Sequence, residues 1–246
     1  MKNTLSLVAI MCSCIVFSAD SQDDVSTVYV GGTPMLLPTP KGYYRIDGKN
    51  EKVDTAFRAS VGKDVRPLAW YGSEVALAEA LSGRMPLSVK LSTVQRVNFQ
   101  ALTGTLIEKI SVSQTKFQSI KQNVVKDSKA FVDGFDPREM GAAGSEAMSI
   151  MLRKAVSLRV GEMISLGVFD ESPESVSYCY LMKAEFPGAD ARRPVSTVLV
   201  GALSSVLLRD HLIQLGCGTT YQNPSDISLV RDLLKRWKDA VVIANR

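Results

Sequence analysis

Few residues in this chain are placed for chemistry. The single histidine, His211, is the only imidazole a Ser–His–Asp relay could use, and such a relay is defined by geometry rather than by sequence order. Ser73 follows Gly72, but no Gly-x-Ser-x-Gly elbow surrounds it. Carboxylate pairs occur at Asp23-Asp24 and Asp170-Glu171, both in stretches that read as loops. Acid–base cleavage of a glycoside needs two carboxylates held about 5–10 Å apart across a cleft, and no spacing here selects a pair. No phosphate-cradling Gly-Lys-Ser/Thr loop or Gly-x-Gly-x-x-Gly turn is present. One histidine and two separated cysteines cannot build an ordinary zinc site. The reading is therefore of no catalytic residues, no metal and no cofactor.

The weak binding candidates are Tyr43 and Tyr44, with Trp70-Tyr71 behind them. Adjacent aromatics can line a sugar or peptide groove, although aromatics in strands more often fill the core. Cys179 and Cys217 fall on expected strands. In an oxidising compartment they could pair; as buried thiols they would serve as small apolar residues. In a simple meander another strand separates them, and Cα atoms more than about 7 Å apart cannot be bridged. Both alternatives stay open.

The destination of the chain is easier to read. Lys2 followed by the apolar run Leu5–Phe17 and the small pair Ser18-Ala19 has the layout of a secretory signal peptide, residues 1–19, cut near Ala19. Thirteen mostly apolar residues are too few to cross a bilayer, which takes roughly 20. Cys12 and Cys14 lack the residues that usually precede a lipidated cysteine, so lipoprotein export is a minor alternative to soluble export. Removing residues 1–19 from 246 leaves 227, enough for one sizeable core. The formal charge of +4 drops to +3 when Lys2 leaves, too little to indicate nucleic acid. The expected localisation is periplasmic or secreted, with no membrane span in the mature chain and an envelope protein or small ligand as partner.

The elements that would position any site read as follows. Asp20–Ser26 is a polar, mobile leader. Thr27–Val30 and Met35–Leu37 are short strands broken by Gly31-Gly32. Pro38–Gly42 is a stiff turn, and Tyr43–Ile46 resumes a strand. Lys52–Asp64 is ambiguous. Pro67–Gly72 reads as a buried strand and Glu74–Leu81 as a helix with Gly83 past its end. Leu87, Val89 and Leu91 alternate as a half-buried strand, and Leu102–Ile110 is unassigned. Ser111 and Gln114 form a capping box ahead of Phe117, Ile120, Val124 and Phe131 at helical spacing. Gly134–Gly144 reads as the longest loop, followed by a helix over Ser145–Val156. Ile164–Val168 and Val176–Met182 alternate as a hairpin, and Phe186–Pro194 reads as a loop.

The closing block is the clearest. Val195–Leu208 and His211–Tyr221 are strands joined at Arg209-Asp210. Ile213, Leu215 and Cys217 share one face because side chains alternate. Asn223-Pro224 opens a helix, with Asp226 near its positive end. Ile227, Val230, Leu233, Leu234, Trp237, Ala240, Val241 and Ala244 then form one apolar stripe. Strands joined by short turns imply antiparallel pairing. The expected fold is α+β: a single domain over residues 27–246, an antiparallel sheet with helices packed across it, and an amphipathic C-terminal helix closing over it.

The runs Leu37-Pro38-Thr39-Pro40-Lys41-Gly42-Tyr43 and Ile164-Ser165-Leu166-Gly167-Val168-Phe169-Asp170, with Leu233–Trp237 continuing through Ala244-Asn245, resemble an uncharacterised family of secreted bacterial proteins. More distantly they resemble the PsbP/Mog1-like α/β/α sandwich. The resemblance implies a fold rather than an activity and an accessory or binding role, and it brings no catalytic residues with it. The functional expectation is a non-enzymatic periplasmic accessory or binding protein. The alternatives are a hydrolase using loop carboxylates or Ser73, and a component of an envelope assembly.

Overall fold

In a computed structural model the described residues are 24–83, 97–153, 155–186 and 195–246. The expected signal peptide, the strand at Leu87–Leu91 and most of the loop to Pro194 lie outside them. The chain begins with a hairpin, β1 (Val25–Val30) and β2 (Thr33–Pro38), so Val25 and Ser26 belong to a strand rather than to the leader. Gly31 and Gly32 turn it with φ of 57° and 84°, the left-handed pair that a two-residue hairpin favours. Next come β3 (Tyr44–Arg45), α1 (Glu51–Ser60), β4 (Val65–Gly72) and α2 (Glu74–Leu81). The ambiguous stretch resolves as α1 because the Asn50 side chain accepts from Lys52 N and Val53 N, and Val53, Ala56 and Phe57 bury one stripe.

β5 (Asn98–Gly104) and a short 3₁₀ turn at Ile107–Lys109 cover the unassigned stretch. α3 (Gln114–Lys126) is capped by Ser113, which accepts from Lys116 N, and not by Ser111. α4 (Ser128–Asp133) follows after a break. The expected loop at Gly134–Gly144 is instead the first half of α5 (Pro137–Leu152). Asp136 caps it at Arg138 N and Pro137 occupies its first turn, where a missing N–H costs nothing. β6 (Arg159–Ser172) and β7 (Ser175–Phe186) form a long hairpin, so Asp170-Glu171 sits in a strand and not in a loop. β8 (Val195–Leu208), β9 (His211–Thr220) and α6 (Ser225–Ala244) complete the chain as the periodicity predicts.

β3 to β9 make one sheet in the order β3-β4-β5-β9-β8-β7-β6, with every pair antiparallel. α6 and the first hairpin cover one face. There Val230, Leu234, Trp237 and Val241 meet Tyr71, Phe99, Ala101, Ile213 and Leu215 in the main core. Trp237 stands edge-on to Tyr71 and Phe99, with ring centroids 5.6 and 5.4 Å away. Its indole N–H donates to Pro38 O at 2.8 Å. Each such buried side chain contributes about 1.5–3 kcal/mol. At the end of α6 the Asn245 amide spans the backbone of Leu36, accepting from its N at 2.9 Å and donating to its O at 2.7 Å. That side chain acts as a one-residue strand partner for β2.

The other face is covered only at its margins. α1, α2 and part of α5 pack with Ile46 and Trp70. α3 and α4 pack on Met163, Val176 and Tyr178 of β6 and β7.

Candidate functional site

The uncovered middle of that second face is a groove of about 910 Å³. Strand alternation makes it. Along β5 the residues facing α6, Phe99, Ala101 and Thr103, are at most 1 % exposed. Their neighbours Asn98, Gln100 and Leu102 point the other way and are only half-buried. Leu203 and Gln214 do the same on β8 and β9. Amides and aliphatics thus share one floor. A sheet face this incompletely covered, with a few polar groups set among apolar ones, is a usual setting for a ligand site.

The walls come from Phe57, Trp70, Phe135, Met140 and Ala143. Phe57 stacks on Trp70 at 4.6 Å and 24°. Trp70 is 2 % exposed, and its indole N–H has no acceptor among the described residues. Such a buried donor normally finds one. Tyr180 lies across Gly201, its direct partner on β8. A Cβ at Gly201 would land in the Tyr180 ring, so only glycine lets the phenol lie flat against the strand. Burial, with smaller contributions from Cys179 and Cys217, pushes that phenol up to about 12, which leaves it a neutral donor at any ordinary pH.

Charges sit on the rim. Asp64, Asp136, Glu139 and Glu146 are exposed there with Arg58 and Lys63. No carboxylate lines the floor among the described residues. A second concavity of about 640 Å³ lies between α4 and β6, with the Lys129–Asp133 ion pair at its mouth; Phe135 lines both.

The residues singled out from the sequence do not meet in this groove. Tyr43 packs edge-on against Phe99 at 4.6 Å, on the α6 side of the sheet. Burial, together with Cys217, raises its phenol against the opposing Arg236. Tyr44 pairs with Gly72 at the sheet edge. Ser73 caps α2 at Ala76 N. His211 lies at the far end, its Nε2 3.0 Å from Thr33 Oγ1 in the first hairpin. The eight residues of β4 separate the Ser73 end from the end where Val65 pairs Gly104, roughly 25 Å at 3.3 Å per residue. Ser73 and His211 therefore cannot act together. Asp170 serves Lys235 and Lys238 of α6, not a cleft.

Cys179 and Cys217 are free and buried. Ala202 of β8 pairs with both, which places them two strand spacings, about 10 Å, apart. The intervening strand decides between the alternatives left open by the sequence. Among the described residues no three His, Cys, Asp or Glu side chains gather as a metal site, and no helix is long and apolar enough to cross a membrane.

Sequence reasoning missed the groove. Its floor residues look like the ordinary polar half of alternating strands, and only the edge-to-edge order of those strands sets Gln214 beside Leu102 on the face that Asn98 and Gln100 share.

Together these features define the class: an α+β protein whose antiparallel sheet is closed on one face and grooved on the other. No protein-family model matches the chain, and no curated protein sequence matches it. Among solved structures it is similar to the Ran-binding protein Mog1p of Saccharomyces cerevisiae. That similarity has 9% identity over 90% of this chain and 92% of that one, with a TM-score of 0.26.

Proposed function

We propose that the protein is an exported, non-enzymatic binding protein that holds a largely apolar ligand against the open sheet face. The observation that supports this most is the contrast within β5, fully buried towards α6 and half-buried towards the groove. A floor of amides and aliphatics with carboxylates only on the rim suits recognition better than acid–base chemistry, which needs titratable groups converging on one reacting atom.

The test uses a Trp237→Phe variant, in which Trp70 is the sole indole. A neutral apolar dye such as Nile red should bind saturably, shift its emission to the blue and perturb Trp70 fluorescence. Leu203→Lys should weaken that binding at least about tenfold, because a cation would have to be desolvated on the floor. Dye binding that does not saturate, or that Leu203→Lys leaves unchanged, rules the groove out.

The export half of the proposal is supported by Lys2, the Leu5–Phe17 run and Ser18-Ala19. Mass spectrometry of the protein from an envelope or culture fraction should find a mature chain starting just after Ala19. A chain kept whole inside the cell would refute export.

A further inference from the structure

We infer that the occupant of the groove is a polypeptide segment with apolar side chains on one side and Lys or Arg along the adjacent edge. This rests on the binding role proposed above. Two features of the groove carry it.

The first is the charge along α5. Asp136, Glu139 and Glu146 line the same rim. They are all exposed. Ten residues of helix, about 15 Å at 1.5 Å each, separate the first from the last. Asp136 spends one oxygen on the cap at Arg138 N. Glu139 and Glu146 make no ion pair among the described residues. The negative charge is thus drawn out in a row and not focused on one point. A single cationic head group can meet only one of these carboxylates at a time; basic residues repeating along a chain can meet several. Arg58, Lys63 and Asp64 at the end of α1, which packs directly on α5, line the same groove; four carboxylates against two cations leave its rim net negative, which favours a basic segment.

The second feature is the floor. Asn98, Gln100 and Gln214 both donate and accept, which matches the alternating N–H and C=O of a peptide backbone, while Leu102 and Leu203 between them take apolar side chains.

Three labelled peptides with one shared set of leucines, and lysine, glutamine or glutamate at the remaining positions, provide the probes, with Nile red as the uncharged reference. The lysine peptide should bind about tenfold more tightly than the glutamate peptide, with the glutamine peptide between them. The difference should shrink as salt is raised from 50 to 500 mM. Glu139→Gln with Glu146→Gln should bring the lysine peptide down to the glutamine peptide and leave Nile red unaffected. An unchanged melting temperature shows that this variant is folded. If Nile red and all three peptides fail to bind, the groove itself is wrong. If Nile red binds and the peptides do not, or they bind without regard to charge, the groove stands and the basic segment is wrong. If decyltrimethylammonium displaces Nile red as strongly as the lysine peptide does, a single-headed cation is the ligand class and the polypeptide is excluded.

Discussion

Asp170 shows how a charged residue on a strand is used when it has no catalytic partner. Its carboxylate accepts from Lys235 and, at 2.7 Å, from Lys238, whose side chain is 3 % exposed. Lys238 also meets Asp239 at 2.5 Å. Burial alone would raise Asp170, yet the two lysines outweigh it and hold the carboxyl below its ordinary value. A depressed folded value means stability that is present above the unfolded value near 3.9 and is lost as pH falls through the folded one. Asp170→Asn should therefore cost about 2 kcal/mol at pH 7, since Lys238 keeps only Asp239. It should also flatten the acid limb of a stability–pH curve below about pH 4, measured by urea unfolding. Gly201→Ala gives a second residue-level outcome. The added methyl displaces the Tyr180 ring and should destabilise by about 1–3 kcal/mol. In a Tyr180→Ala background the same Gly201→Ala change should cost little, a coupling that a double-mutant cycle reads directly.

Among the elements, α6 and α5 show what a sequence discloses and what it withholds. α6 was legible because its stripe is long, its polar face is unbroken and Asn223-Pro224 marks its start. The structure refines one detail: the Asp226 carboxylate turns back to accept from Gln222 N and Asn223 N and does not only offset the dipole. α5 carries the same kind of signature in Asp136-Pro137, yet Gly141 and Gly144 read as loop punctuation. They are small for another reason. A Cβ at Gly141 would lie 3.0 Å from Leu158 O, and one at Gly144 would strike the Leu158 side chain. The helix is slim where the segment leading into β6 crosses it, and that crossing is a tertiary fact no local pattern encodes. The place of Tyr43 is hidden for the related reason that alternation tells which residues share a face but not which face is open. The clasp between α6 and β2 supplies an element-level outcome. Asn245→Ala removes both bonds to the Leu36 backbone and should cost about 1–3 kcal/mol, with hydrogen exchange at Leu36 N rising more than at amides of β8.

At the scale of the molecule, the closed face also sequesters the thiols. Burial pushes both Cys179 and Cys217 up, against a modest opposing pull from Arg231 on Cys179. A protonated, covered thiol is a poor nucleophile. Ellman's reagent should find no rapid thiol in the folded mature protein and two after denaturation without reductant. Two thiols titrating at once in the native state would mean that α6 does not seal that face.

The same seal has a cost in time. Pro38 O waits for Trp237, 199 positions later, and Leu36 for Asn245, 209 positions later. At ribosomal speeds of about 5–20 residues per second, that interval is roughly 10–40 s. Throughout it the opening hairpin has no cover, so a nascent chain stays unfinished, and free for a chaperone or translocase to hold, until its last turn of helix is made.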